Sequence, residues 1–367
     1  ADADDLVDRL DPHLPVAELP GARRALDDLD GPLGVGVGHH DLELDLRHEL
    51  DHVLRPAELG LVARLATEAG RNAGVQDFAI VTGGPETGAA MIDEADAVCF
   101  TGSVATGKVI ARHAAERLIP AFLELGGKDA AIVLKDANIA HAARAIAWGG
   151  LANAGQSCLS VERVFVDRAI ESSFTSALVG EVERLRFCYP DATQGEIGPI
   201  IAARQADTIR AQLMEAKARG AVALTGGEVE SLCGGLWCQP TVLTNVTLDM
   251  KIMADETFGP VLPVMAFDTD DEAVALANGT EFGLSGAVFG ERAHAESVAR
   301  RMQCGAVSIN DAALTAVVHD GEKQAFKASG LGPSRMGDAS ISRFRKQRVL
   351  IENPTLQRNP WWFPPST

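Results

Sequence analysis

From about Val53 onwards, short apolar runs alternate with longer stretches in which apolar side chains recur at helical spacing. This alternation is typical of β-α-β units and predicts a parallel sheet with helices packed on it. The predicted strands are 78–81, 97–100, 122–125, 284–290 and 305–310, and a further element begins at 130–134. Helices are predicted at 58–70, after an N-terminal cap at Ser103, around 138–154, 169–186 and 202–219, and up to Gln303.

The first 66 residues depart from this pattern. They use only nine residue types, all of which can be encoded by codons beginning with G or C, and they contain five of the nine histidines. We therefore expect that part of this segment is GC-rich DNA translated out of frame, or a degraded relic, joined to a genuine frame near Val53. The alternative is a real but biased acidic segment. Resequencing the gene separates the two, because an intact frame with no nearby shift contradicts the first.

Composition and charge narrow the class of protein. A length of 367 residues suits two domains, and 46% hydrophobic residues can fill their cores. The net charge of −18 argues against a nucleic acid or an anionic membrane as partner, because both are negatively charged. No apolar run approaches the ~20 residues of a membrane helix, and no signal peptide is visible. Six cysteines without regular spacing indicate reduced thiols, so a cytoplasmic protein is expected.

Two short motifs, Phe122–Lys128 and Gly155–Cys158, carry the candidate chemistry. Glu124 is a lone carboxylate among apolar strand residues, and Cys158 follows a predicted helix. A thiol can attack a carbonyl carbon and a carboxylate can then activate water, which permits a covalent two-step oxidation or hydrolysis. The structural alternatives are a buried cysteine acting as a small apolar side chain and a strand-end glutamate in solvent. No spacing of Cys and His predicts a metal site.

Gly102-Ser103 marks a predicted turn from strand to helix. A glycine at such a turn lets a pyrophosphate approach the backbone and the helix N-terminus. The motif differs from the common Gly-x-Gly-x-x-Gly fingerprint, so these residues alone leave the ligand open.

Taken together, these motifs resemble the NAD(P)-dependent aldehyde dehydrogenase superfamily. The resemblance rests on Phe100–Ser103, Phe122–Lys128, Gly155–Cys158 and Glu256–Pro260, and it extends from Val53 to Ile351. It implies an α/β fold of the aldehyde dehydrogenase type, with an incomplete Rossmann-type cofactor domain and an α/β catalytic domain, in an N-terminally truncated or frame-disrupted member. The implied segments are an atypical 1–52, a partial NAD-binding domain at 53–126 with 310–345, a catalytic domain at 127–309, and a C-terminal oligomerisation strand and tail at 346–367.

The resemblance also implies roles for individual residues. Cys158 is implied as the nucleophile that forms a thiohemiacetal and then a thioester, and Glu124 as the base that activates water. Ser103 is implied near the pyrophosphate, Glu256 on the ribose next to the nicotinamide, and Phe258 beside the nicotinamide ring. The full set implied in cofactor binding is Arg55, Glu58, Gly83, Gly102, Ser103, Gly107, Leu125, Glu256 and Phe258.

Arg55-Pro-Ala-Glu58 looks like the adenosine-ribose signature of the family, which is usually Lys-Pro-x-Glu. Glu58 could accept hydrogen bonds from both ribose hydroxyls and would repel a 2′-phosphate, which favours NAD. Arg55 in place of lysine leaves NADP possible, because arginine binds phosphate well. The resemblance therefore implies oxidation of a small-molecule aldehyde to the free acid with NAD, in a homo-oligomer if the N-terminal region permits one.

Two departures from the family pattern bear on activity. No tryptophan precedes Trp148 and no asparagine precedes Asn72, so the Trp-Asn dipeptide whose asparagine helps to hold the oxyanion is missing. Loss of one oxyanion donor typically lowers turnover by about 10²–10³, so we expect weak or absent dehydrogenase activity. The stretch 311–327 lacks the usual Pro-Phe-Gly-Gly, which leaves the substrate open. A non-catalytic remnant and a cofactor-independent thiol esterase are the alternatives.

Overall fold

Helices and strands alternate through residues 79–190, 194–312 and 314–354, which the computed structural model describes. The helices are α1 Pro85–Glu94, α2 Val104–Glu116, α3 Ile139–Leu151, α4 Glu171–Val182, α5 Ala203–Ala218, α6 Lys251–Ala254, α7 Asp270–Asn278, α8 Arg292–Ala299, α9 Leu314–Val317 and α10 Ala339–Ser342. The strands are β1 Val98–Thr101, β2 Ala121–Glu124, β3 Asp129–Val133, β4 Val161–Asp167, β5 Val222–Ala223, β6 Val229–Leu232, β7 Gly235–Cys238, β8 Thr241–Thr244, β9 Val261–Phe267, β10 Phe282–Gly283, β11 Ser285–Phe289, β12 Ala306–Ile309, β13 Phe326–Lys327 and β14 Gly330–Leu331.

The elements predicted from periodicity are confirmed from Val98 onwards, with small differences at their ends. The strand predicted at 78–81 is wrong for Ala79–Val81, which lie in no strand. An apolar run becomes a strand only when a neighbour supplies the hydrogen-bond ladder, and no described strand pairs with this one. The predicted helix at 58–70, the atypical segment 1–52 and residues 355–367 of the predicted tail lie outside the described residues.

A small sheet carries the first motif. β1 and β2 pair in parallel, and β14 pairs with β2 in antiparallel orientation. The apolar residues Phe122 and Leu123 of β2 are buried. Helix α2, which connects β1 to β2, packs on β2, so this unit has the β-α-β arrangement that the alternating pattern predicts.

A larger sheet of seven strands forms the centre of the core, in the order β12-β11-β3-β4-β9-β8-β5. Its strands pair in parallel except β5 and β8. All residues of β3 are buried, which agrees with the near-continuous apolar runs of parallel strands that are covered on both faces. None of the helices in the described part of the chain is long and apolar enough to cross a membrane.

Four residues, Leu125–Lys128, connect β2 in the small sheet to β3 in the large one. The domain boundary predicted between residues 126 and 127 falls in this connection, and the two sheets share no strand. The division into cofactor and catalytic domains stays a prediction. The connection is a short loop. It begins after Glu124, the last residue of β2 in the small sheet, and leads into β3, an inner strand of the large sheet.

Candidate active site

Glu124 is the last residue of β2 and lies where β1 and β2 both end. The strand register pairs it with Thr101, and the backbone N–H of Gly102 donates to the Glu124 carbonyl oxygen at 3.1 Å. In α/β proteins, ligands bind at the carboxyl ends of parallel strands. The predicted base and the predicted Gly102-Ser103 turn therefore lie at the same edge of the small sheet.

Cys158 lies between α3 and β4, after a 3₁₀ turn at Ala152–Gly155 in which three residues have a left-handed φ. The Gln156 side chain anchors this turn from both ends of its amide. Its Nε2 donates to the Pro199 carbonyl at 3.1 Å, and its Oε1 accepts from the Ile201 N–H at 2.8 Å. The backbone that presents the thiol is thus held by side-chain hydrogen bonds as well as by the turn.

The backbone of Gly127 lies directly against Cys158. A Cβ placed on Gly127 would be 2.4 Å from the Cys158 carbonyl oxygen, a separation that no side chain can adopt. Because Gly127 follows Glu124 closely in the chain, this contact holds the loop after the carboxylate against the loop of the thiol. The structure thus brings together two motifs that the sequence places on separate elements.

Electrostatics at the thiol favour the protonated form. Burial has the largest effect and raises the pKa of Cys158 above the ordinary value, and the negative charge of Asp129 raises it further. The charges of Glu256 and Glu124 also raise the pKa, whereas the Arg335 guanidinium lowers it. Arg335 Nε lies 3.8 Å from Glu124 Oε1, so one cation faces both the thiol and the carboxylate. At neutral pH the resting thiol is therefore protonated.

The raised pKa of Cys158 predicts that its alkylation by iodoacetamide accelerates as the pH rises above neutrality. Only the thiolate reacts, and its fraction grows about tenfold per pH unit below the pKa. Arg335→Gln removes the cation that lowers this pKa, so we expect slower alkylation of Cys158 at each such pH. Mass spectrometry of the modified peptide measures the rate, with Arg345→Gln at an exposed position as the control. A rate independent of pH, or faster in Arg335→Gln, contradicts the prediction.

Glu256 contacts the same loop. Its Oε1 accepts from the Gly127 N–H at 3.0 Å, and a Cβ on Gly126 would lie 2.5 Å from Oε2, so the contact needs glycine there. Burial, followed by the charge of Glu162, raises the pKa of Glu256 to about 7. The structure thus places this carboxylate beside the loop that links Glu124 to β3. Its predicted role on a ribose stays a prediction.

A buried ion pair between Lys128 and Glu162, which the sequence analysis did not predict, holds the backbone that follows Glu256. Lys128 Nζ donates to Glu162 Oε2 at 2.7 Å and to Thr257 Oγ1 at 2.9 Å, and both charged side chains are buried. The Glu162 carboxylate also accepts from the backbone N–H groups of Thr257 and Phe258, each at 2.7 Å. Phe258 has a left-handed φ of 47°. The ion pair therefore fixes the backbone next to Glu256. In the sequence, only the presence of a charged residue beside or inside an apolar run indicated Lys128 and Glu162.

Lys128→Met is expected to lower the free energy of unfolding by about 3–5 kcal/mol, because it leaves the Glu162 carboxylate buried without its cation. Urea denaturation measures the effect. The matched control is the double variant Lys128→Met with Glu162→Leu, which removes both charges and is expected to recover part of the stability. A single variant as stable as the parent, or a double variant less stable than the single, would show that the pair does not act in this way.

The start of α2 fits a dinucleotide pyrophosphate. Ser103 is the N-terminal cap of this 13-residue helix, and its Oγ accepts from the Thr106 N–H at 3.2 Å. Gly102 and Ser103 are exposed, so the first turn is open to a ligand. An open helix N-terminus attracts anions through its unpaired N–H groups and its dipole.

The remaining predicted cofactor residues are placed differently. Gly107 packs on Leu125, since a Cβ on Gly107 would lie 2.5 Å from Leu125 Cδ2, and both residues are buried. Gly83 is exposed and lies just before α1, which packs on α2. Arg55 and Glu58 lie outside the described residues. Among the residues that are described, no group of three His, Cys, Asp or Glu side chains is placed to hold a metal ion.

Comparison with known proteins gives a consistent result. A model of the aldehyde dehydrogenase family matches residues 53–350. The 4,4′-diapolycopene aldehyde oxidase of Methylomonas sp. is 36% identical over 318 residues, which cover 85% of this chain and 59% of that protein. The vanillin dehydrogenase of Pseudomonas fluorescens is 35% identical over 321 residues, 85% of this chain and 64% of that protein. The chain therefore spans less than two thirds of the length of these relatives.

Solved structures show the same likeness. A protein named as an aldehyde dehydrogenase, PutA from Anabaena variabilis, superposes with a TM-score of 0.78 and 53% identity over 82% of this chain and 65% of that one. The lactaldehyde dehydrogenase of Escherichia coli superposes with a TM-score of 0.74 and 30% identity over 81% of this chain and 62% of that one. The predicted α/β fold of this type is thereby confirmed.

Proposed function

This chain belongs to the aldehyde dehydrogenase family, and on that premise we propose that it oxidises an aldehyde to the carboxylic acid, with NAD as hydride acceptor and Cys158 as nucleophile. The observation that carries the proposal is the contact of Gly127 with the Cys158 carbonyl, which holds the loop after Glu124 against the thiol. A thiol and a carboxylate in one site supply the bond-forming and proton-transfer groups that this reaction needs. NADP is the second candidate cofactor.

In the first half of the proposed reaction, the Cys158 thiol loses its proton to solvent and its sulfur attacks the aldehyde carbon. A C–S bond forms, and the carbonyl oxygen becomes the oxyanion of a thiohemiacetal. Bound at the N-terminus of α2 and beside Glu256, NAD would supply the acceptor for the hydride that leaves this carbon. The chain is left with a thioester on Cys158.

In the second half, Glu124 takes a proton from a water molecule while the water oxygen attacks the thioester carbonyl. The C–S bond then breaks, Cys158 leaves as a thiolate and the acid is released. The thiolate takes up a proton from solvent, which restores the resting thiol, and the proton on Glu124 passes to solvent. Glu124 is half-buried, and its Oε1 lies 3.8 Å from Arg335 Nε, so a cation faces the proposed base. The net reaction consumes one aldehyde, one water and one NAD, and yields the acid, NADH and a proton.

Three features support the cofactor assignment. The open N-terminus of α2 at Ser103 suits the pyrophosphate. The half-buried Glu256 carboxylate offers oxygens that accept from ribose hydroxyls, and it lies beside the loop that contacts Cys158. Glu58 in the sequence favours a free 2′-hydroxyl, and hence NAD over NADP.

We propose the backbone N–H of Cys158 as an oxyanion donor of this site. The sequence holds no asparagine before Asn72, and one side-chain donor of this kind accounts for about 10²–10³ in turnover. We therefore propose that the 367-residue chain oxidises aldehydes slowly.

The experiment that tests the proposed function is the absorbance of NADH on mixing the purified chain with NAD and a panel of aldehydes. A slow rise that depends on both reactants supports the proposal. A flat trace from folded protein contradicts it and leaves a non-catalytic remnant. Hydrolysis of p-nitrophenyl acetate without NAD identifies a thiol esterase, the second candidate function, because Cys158 and Glu124 are sufficient for that reaction.

We also propose a homo-oligomer. The supporting observation is a run of three apolar residues near the end of the described chain, Val349, Leu350 and Ile351, whose exposed fractions are 76%, 88% and 91%. Contiguous exposed apolar side chains mark contact surfaces. Light scattering after gel filtration tests the proposal, and a monomer at every concentration contradicts it.

A further inference from the structure

The segment that follows α9 contains β14, which pairs with β2, the strand that carries Glu124. Gly330 pairs with Glu124 in the antiparallel register of β14 and β2, and the Leu125 N–H donates to the Ser329 carbonyl at 2.9 Å. A Cβ on Gly330 would lie 2.4 Å from the Leu123 carbonyl oxygen, so the two backbones are in close contact. Side chains close to β14 are therefore placed near the proposed base.

Ser334 connects the backbone at Lys323 to the backbone beside Arg335, the two cationic residues of this segment. Its side chain is buried, and its Oγ accepts from the Lys323 N–H and from the Met336 N–H, each at 3.0 Å. Lys323 is thus fixed beside the residue that precedes Arg335. Arg335 Nε lies 3.8 Å from Glu124 Oε1, and the charges of Arg335 and Glu124 both act on the Lys323 ammonium, so the two cations belong to the same site.

The ammonium of Lys323 is half-buried and lacks a counter-ion among the described residues. Its Nζ donates to the Thr315 carbonyl at 2.5 Å, and none of the described carboxylates forms an ion pair with it. Burial, and then the charge of Arg335, lower its pKa, whereas Glu124, Asp129 and Cys158 raise it. The ammonium is therefore within electrostatic reach of the nucleophile and the base.

The nearby carboxylates are already engaged. Glu124 faces Arg335, and Glu256 accepts from the Gly127 N–H. Asp129 accepts from the N–H and the hydroxyl of Ser285, and burial raises its pKa to about 7. A partly desolvated ammonium without an anion is unfavourable unless a ligand supplies the charge.

We propose that Lys323 binds a carboxylate carried by the aldehyde substrate at the end remote from the reacting carbonyl, so that the preferred substrates of this chain are acidic aldehydes. Arg335 contributes positive potential at the same place, while its guanidinium faces Glu124. This inference rests on the proposed function, since it names the substrate class for the same site. The alternative is that Lys323 serves only to tether the Thr315 carbonyl and thereby the loop after α9.

The test compares two aldehydes of similar size, 4-oxobutanoate and its methyl ester, as substrates of the full chain with NAD. We expect the parent chain to prefer the carboxylate. Lys323→Met keeps an unbranched side chain, one atom shorter, and removes the charge. It is expected to lower kcat/KM for 4-oxobutanoate by about ten- to hundredfold, the size of one charged hydrogen bond. The methyl ester is expected to react at an unchanged rate. Lys323→Arg, the matched control, keeps the preference.

The tethering alternative predicts a different pattern, because a displaced loop lowers kcat/KM for both aldehydes alike. That pattern, or a parent chain that does not prefer the carboxylate, overturns the proposal. A flat trace with every aldehyde contradicts the proposed function instead. In that case, titration calorimetry with succinate measures whether Lys323 binds a carboxylate, and this measurement needs no turnover. Binding that weakens at least tenfold in Lys323→Met and persists in Lys323→Arg supports it, and equal or absent binding overturns it.

Discussion

Cys158→Ala is expected to abolish NAD-dependent aldehyde oxidation, with a loss of at least about 10⁴-fold, because a methyl group cannot form the C–S bond on which both halves of the reaction depend. NADH absorbance measures the rate. Mass spectrometry of the intact chain after mixing with aldehyde and NAD looks for the acyl adduct, which is expected on the parent and absent from the variant. We expect this loss only for Cys158, the cysteine whose backbone carbonyl contacts Gly127.

Cys304→Ala provides the matched control. Cys304 is also half-buried, and burial followed by the charge of Asp129 raises its pKa to about 12, so the same two influences act on this thiol as on Cys158. Its replacement is expected to leave the rate unchanged. Oxidation that survives in Cys158→Ala, or disappears in Cys304→Ala, would place the nucleophile elsewhere.

Glu124→Gln is expected to separate the two halves of the reaction. The amide has the shape of the carboxylate but cannot take a proton from water, so hydrolysis of the thioester slows by about 10²–10⁴ while its formation continues. Stopped-flow absorbance should show one NADH per chain in a burst, followed by almost no turnover. Mass spectrometry should find the chain carrying the acyl group.

The control for this variant is Glu116→Gln, at an exposed position at the end of α2. It is expected to turn over as the parent does. If Glu124→Gln shows no burst, the carboxylate acts before hydride transfer. If it turns over normally, another group activates the water, and the ion pair with Arg335 has only a structural role.

The proposed site could be predicted in part because its motifs are local. Ser103 before a helical run predicts an N-terminal cap, and the structure confirms the cap. The apolar run 122–125 predicts a strand that contains Glu124, and the structure confirms a strand there, which ends at Glu124. These predictions need only the preference of nearby residues for a helix, a strand or a turn. The run at 79–81 has the same local preference, and it failed because a strand also needs a neighbour.

Contacts between distant positions could not be predicted in this way. Lys128 and Glu162 are separated in the chain by the whole of α3, and they meet because β3 and β4 are adjacent in the large sheet. Likewise, Arg335 reaches Glu124 because β14 pairs with β2. A single sequence does not show which strands are neighbours in a sheet. A lysine that tertiary contacts bury therefore has the same local sequence pattern as a lysine in solvent.

By itself, the sequence determined the alternation of strands and helices, the candidate thiol and carboxylate, and, through its motifs, the family. These properties depend on side-chain chemistry and on periodicities within about ten residues. The tertiary structure alone decided that the Gly127 backbone lies against Cys158, that Glu256 is held by the same loop, and that Lys323 is left without an anion beside them. Those contacts join residues that are far apart in the sequence, and only the packing of the chain sets their distances, their burial and hence their charge states.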